Sequence, residues 1–127
     1  MLLADPKIVE AITMDYVAEV PYIETREQYQ RRILGQYDWD AEIAYKVMMA
    51  ESGGKETALN NNPSTKDYSV GLFQINLYGN LADYRPSKKW LSVGSNNIEY
   101  AYKMWTESGW TPWSVCTNGK VDCTIVP

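Results

Sequence analysis

Between Asp38 and Gly54 the sequence leaves the backbone little choice. Asp38 or Asp40 can cap a helix, because a short carboxylate accepts from the free N–H groups of a first turn. Glu42 suits the positive end of the helix dipole. Ile43, Val47, Ala50 and Glu51 then recur at helical spacing and share one face. Gly53-Gly54 ends the element, since glycine closes a helix without a Cβ penalty. A helix with an apolar stripe has to be covered, so this segment commits the chain to a packed domain. At 127 residues the chain is long enough for one. Glu51 is the anomaly. It stands on the stripe, above Ile43 and Val47, in the last turn. Partial desolvation raises a carboxyl pKa, and the negative end of the dipole acts in the same direction. Those conditions keep an acid protonated for general-acid chemistry. A boundary Glu whose head reaches water past the helix end fits the position better, when position alone is considered.

The residue inventory removes many alternatives. The chain has no histidine, which excludes a Ser-His or Cys-His nucleophile pair and a His-ligated zinc. Two cysteines alone cannot build a structural zinc site, so no metal and no organic cofactor is expected. Acid–base chemistry falls to carboxylates. A net charge of −4 lacks the basic footprint of a nucleic-acid binder. No apolar run is long enough to span a bilayer, and the opening residues, Met1 to Pro6, do not read as a secretory signal.

Other elements follow from local chemistry. Ile8, Ala11, Ile12 and Met14 suggest a helical piece in an N-terminal arm, ended by Pro21. Thr25-Arg26-Glu27-Gln28 is a capping-box pattern, with Tyr29, Ile33 and Leu34 as the apolar side of its helix and Gly35 as a stop. Asn60 to Thr65 is dense in turn formers, so residues 55–70 favour short strands or a hairpin. Pro86 to Leu91 can open a short helix. Ser95 or Asn96 can cap a longer one with Ile98, Ala101, Tyr102 and Trp105 inward and Gly109 at its end. The tail from 110 to 127 is aromatic, then strand-like. Asn118-Gly119 signals a two-residue hairpin, which would hold Cys116 and Cys123 diagonal and too far apart for a comfortable disulfide. Hairpin and disulfide therefore compete.

Glu51-Ser52-Gly53-Gly54 is followed, after the turn, by Asp67-Tyr68-Ser69-Val70-Gly71-Leu72-Phe73-Gln74-Ile75-Asn76. Together these resemble the lysozyme-like superfamily, in its lytic transglycosylase and goose-type lysozyme branch and among the cell-wall-cutting domains of phages. There a helix ends in a Glu-Ser pair that carries the catalytic acid, and a Ser-x-Gly-Leu-x-Gln motif follows. Gln74-Ile75-Asn76 also resembles a stretch of the animal lysozymes. The run from Asn97 to Val115, with Gly109 and Pro112-Trp113-Ser114, resembles the phage members. The resemblance covers about residues 40–115. It implies that Glu51 protonates the leaving glycosidic oxygen. Gln74 would hold a sugar or orient the acid, and Asn76 would reach an acetamido or hydroxyl group. Ser69 would line the cleft. Trp113 resembles a Trp that raises the acid's pKa in hen-type lysozyme, a worked case of the general rule. Ala101-Tyr102 resembles an Ala-Tyr-Asn motif in which Lys103 here replaces Asn, so Tyr102 is a substrate-binding candidate that core packing also explains.

The same superfamily holds two chemistries. Hydrolases use a second carboxylate, whereas lytic transglycosylases let the sugar's own 6-hydroxyl close an anhydro ring. Asp67, sixteen residues after Glu51, is the candidate partner. A turn-forming Asp is its alternative role, and Glu56 and Asp83 read as solvated charges. The resemblance thus implies an α+β lysozyme-like fold, mainly helical, with a small β-rich flap over a cleft. Residues 1–37 would be an N-terminal helical arm on a 38–127 catalytic core. The expected activity is muramidase cleavage of the β-1,4 bond of peptidoglycan, with lytic transglycosylation or a non-catalytic glycan-binding or virion structural role as alternatives. The expected setting is a monomer, virion-associated, extracellular or periplasmic, with glycan strands as partner and neither nucleic acid nor membrane insertion.

Overall fold

The computed structural model describes residues 22–124. The expected helical piece around Ile8 to Met14 lies outside them. Helix α1 spans Arg26–Leu34 and starts as its capping box requires. Thr25 Oγ1 accepts from Gln28 N at 3.1 Å, and Gln28 Oε1 accepts from Thr25 N at 2.9 Å. Helix α2 spans Ala41–Ser52. Asp40 is its cap, accepting from Glu42 N and Ile43 N, and Gly53 closes it in the left-handed conformation at φ +64°. Asp38 instead accepts the hydroxyl of Tyr102. The buried face of α2 is Ile43, Ala44, Val47 and Met48. Glu51 flanks that face rather than centring on it and is half-buried.

The Asn-rich segment folds as a three-stranded antiparallel sheet in chain order: β1 Leu59–Asn62, β2 Asp67–Val70 and β3 Ile75–Asn76. A 3-10 turn, Pro63–Thr65, joins the first two. Asn60 pairs with Ser69, and Ser69 with Asn76, so one row of polar side chains runs across all three strands. Val70 and Ile75 pair beside that row and are buried in the core.

After a 3-10 turn at Gly79–Asp83 come α3, Lys88–Leu91, capped by Ser87, and α4, Gly94–Ser108. Neither Ser95 nor Asn96 caps α4. It begins earlier, at Gly94, because the distant Glu56 supplies the cap: Oε1 accepts from Gly94 N at 3.1 Å. A Cβ at Gly94 would sit 2.1 Å from that oxygen, so only glycine permits the contact. Glu56 is exposed, as expected of a solvated charge, and one of its oxygens also holds the start of α4.

Trp39 anchors the aromatic part of the core. It stacks on Phe73 at 5.5 Å and on Trp110 at 5.4 Å, and its indole N–H donates to Leu34 O at 2.9 Å. The tail departs from the expected strands. Ser114–Thr117 forms the single-turn helix α5, and a disulfide joins Cys116 to Cys123 with Cα atoms 5.5 Å apart. The hairpin lost the competition because the chain turns helically at Cys116. Asn118 Oδ1 accepts from Lys120 N, and Val121 N donates to Val115 O, closing the loop without a ladder.

Candidate active site

A cleft of about 550 Å³ separates the sheet from α4 and α5. Glu51, Asp67, Ser69, Gln74, Asn76 and Trp113 all line it, although they come from four separate segments. Glu51 enters from the end of α2, and three side chains fix that end. Ser52 Oγ donates to Met48 O and accepts from Gly54 N, both at 3.1 Å. From α1, Arg26 donates to Gly53 O at 3.1 Å, and the buried Gln30 donates to Gly54 O at 2.9 Å. The helix carrying the acid therefore stops at a defined residue, which its last orphan carbonyls alone would not ensure.

Burial pushes the Glu51 carboxyl above the ordinary carboxylate range. The Lys120 charge opposes that rise and the Asp67 charge adds to it. Thus the two cleft carboxylates are close enough to feel each other. Asp67 begins β2 opposite Asn62, and its Oδ2 accepts from Thr65 Oγ1 at 2.6 Å. That bond holds one oxygen and leaves the other for a cleft ligand.

The amides of the motif are more committed than expected. Gln74 has a left-handed backbone at φ 51°, and its Nε2 donates to Gly71 O at 3.0 Å and Ala58 O at 3.3 Å. Only its carbonyl oxygen remains for a sugar, so Gln74 presents an acceptor. Asn76 Oδ1 accepts from Tyr68 N at 3.0 Å and Tyr78 N at 2.9 Å, while Nδ2 donates to Lys66 O at 3.0 Å. Its expected reach to an acetamido group is reduced to one N–H, because the strand ends consume the rest. Trp113 is buried, and its indole N–H donates to Phe73 O at 3.0 Å. What it offers the cleft is apolar ring.

Tyr102 is not brought to the cleft. It stacks on Trp105 at 5.8 Å and meets Trp39 edge-on at 5.4 Å, with its hydroxyl bonded to Asp38. Its place in α4 turns it toward residues 37–39, the loop between α1 and α2. Asp83 is exposed in its 3-10 turn. Three residues that local pattern did not mark belong to the site or hold it. Asn60 lines the cleft from β1, and Arg85 lines it beyond β3. Asn97, fully buried, accepts from Phe73 N at 2.8 Å and donates to Val70 O at 2.8 Å and Leu91 O at 2.9 Å. It ties the motif loop to α3 and α4. Among the described residues no cluster of His, Cys, Asp and Glu could hold a metal ion, and no helix is long and apolar enough to cross a membrane.

A carboxyl at a helix end, facing a short antiparallel flap across a groove, is the arrangement that the resemblance to lysozyme-like proteins implies. The family described as Lysozyme like domain matches residues 30–115, well over half of the chain, and the chain belongs to that family. Membership implies a glycosidase or lytic transglycosylase acting on peptidoglycan. No curated protein and no solved structure matches the chain.

Proposed function

We propose that the protein is a muramidase that cleaves the β-1,4 bond between N-acetylmuramic acid and N-acetylglucosamine, with Glu51 as general acid. One observation carries the reading. Glu51 is the cleft carboxyl whose pKa burial raises, and Asp67, on the opposing strand, is a second carboxylate in the same groove. Glu51 would donate its proton to the leaving oxygen, and Asp67 would activate water or support the developing positive charge. Ser69 and Asn60 would line the sugar's path, and Gln74 would accept one of its N–H or O–H groups.

The Thr65 bond on Asp67 favours a second reading, lytic transglycosylation by Glu51 alone, because it restrains the partner carboxylate. Mass spectrometry of released fragments separates the two. Hydrolysis gives reducing muramyl ends, and a preponderance of anhydro-muramyl ends would defeat the muramidase reading. Catalysis itself is tested with purified peptidoglycan. Wild type is expected to clear it and Glu51→Gln is expected to lose at least about 100-fold in rate, within the range for a general acid. Equal clearing by both would sink the assignment. We further infer a setting outside a reducing cytoplasm, which accords with the disulfide. A phage particle is one carrier that would hold an acidic monomer at an anionic wall.

A further inference from the structure

Among the described residues, Arg85 is a cation in the cleft wall without an anion. Its backbone N–H is held by Leu81 O at 3.2 Å, and its guanidinium crosses β3, where Nη1 donates to Asn76 O at 2.8 Å. Nε is buried and has no hydrogen-bond partner among the described residues. The ion pairs among the described residues engage Arg31, Arg32 and Lys103, and Arg85 is in none of them. Its other neighbour is the Tyr84 ring, at 5.8 Å. Lys103 is near enough to feel the Arg85 charge, and its own partner is Glu107.

A half-buried guanidinium with a single hydrogen bond leaves most of its donor fork unused. Keeping such a charge away from water is unfavourable unless something anionic completes it. The cleft's own carboxylates do not, as neither Glu51 nor Asp67 pairs with it. The planar fork matches a carboxylate in shape and charge. A glycan strand built of N-acetylated sugars is neutral along its backbone. Its carboxylates sit on the muramyl substituent: the lactyl carboxyl of a bare strand, or the peptide carboxyls of a substituted one.

We propose that Arg85 binds a carboxylate of the muramyl substituent and so makes the cleft selective for carboxyl-bearing strands over neutral ones. The proposal rests on the peptidoglycan reading for its substrate class. It predicts a preference that a purely structural Arg85 would not produce.

The test is calorimetric binding with the full chain carrying Glu51→Gln, which prevents turnover of the ligands. Three soluble ligands are compared: an N-acetylglucosamine oligomer, a peptide-stripped muramyl fragment and a peptide-bearing fragment of equal length. At least one carboxyl-bearing fragment is expected to bind about tenfold or more tighter than the neutral oligomer. Adding Arg85→Met should reduce that advantage to less than about threefold, and Arg85→Lys should retain part of it. Whichever fragment loses its advantage identifies the carboxylate. If both lose it, the fork takes either. An advantage that is absent from the start, or that survives Arg85→Met, overturns the proposal. So does an equal fall for all three ligands, which would mean that Arg85 only holds the Asn76 strand. If Arg85→Met does not fold, methyl esterification of the fragments removes the carboxylate instead, and undiminished binding would be the refuting result. The proposed function fails separately, if wild type turns over no peptidoglycan while the binding preference stands.

Discussion

Replacing Gly71 with alanine tests whether the flap is locked to the helices by close backbone approach. Gly71 has φ +80°, and a Cβ there would lie 2.3 Å from Asn97 Nδ2 and 2.6 Å from Leu91 O. Two costs add. A side chain in the left-handed region costs about 1–2 kcal/mol. The carbonyl of Leu91 is backbone and cannot rotate away, so Asn97 must yield, and it is bonded to Phe73 N, Val70 O and Leu91 O. Leaving even one or two such groups unpaired in the interior costs about 1–3 kcal/mol each. The expected loss is about 2–8 kcal/mol, a large share of the roughly 5–15 kcal/mol that holds a small domain together. Urea unfolding followed by tryptophan fluorescence measures it, as a lower midpoint at unchanged slope. A loss below about 1 kcal/mol would refute the lock, being no more than an ordinary surface change. A double-mutant cycle adds a sharper check. In an Asn97→Ala background there is no amide to displace, so Gly71→Ala should cost less than in wild type. Additivity within about 0.5 kcal/mol would show that the two residues are independent.

Other outcomes follow from the site's charges and links. Because the folded pKa of Glu51 lies above the unfolded value of about 4.3, its ionisation costs native stability as pH rises through the folded value. Glu51→Gln should therefore raise the urea midpoint at about pH 8 and converge with wild type below about pH 4. The alkaline limb of kcat/KM reports the same acid. Lys120→Met should move that limb to higher pH and Asp67→Asn to lower pH, and shifts of the same sign would exclude direct charge effects on Glu51. Cys116→Ser with Cys123→Ser should lower stability by about 2.5 kcal/mol, the loop-closure value for so short a span. Thr25→Ala should cost about 1 kcal/mol in unfolding free energy, by opening the capping box that starts α1.

Much of the helical frame was legible because its signals are local. Thr25, Asp40, Ser87 and Gly53 act within one turn of where they stand. Glu51 and the Ser69–Asn76 motif were readable for a different reason. Their spacing carries a family pattern, and the fold assembles those residues along one cleft. What escaped was set by distant partners. The start of α4 is governed by Glu56, far away in sequence, so the nearby Ser95 and Asn96 were misleading. Asn97 and Arg85 look like ordinary polar residues until the residues facing them are known. The tail misled for the opposite reason. Asn118-Gly119 is a sound hairpin signal, but α5 and the Cys116–Cys123 link outweigh it. Tyr102 shows the limit of a partial motif: its spacing fits, yet its ring belongs to the aromatic core.

The side chain of Asn76 spends its acceptor and one donor on the main chain of its own flap, and Gly71 has no room for anything but hydrogen. These positions therefore serve the fold, whether or not a sugar is ever cut. Glu51 is under no such obligation. A descendant that lost the acid would keep the shape and the recognisable signature, and with its desolvated carboxyl gone it would be the sturdier protein. In this fold much of the signature serves architecture, and chemistry has to be read from Glu51 and the company it keeps.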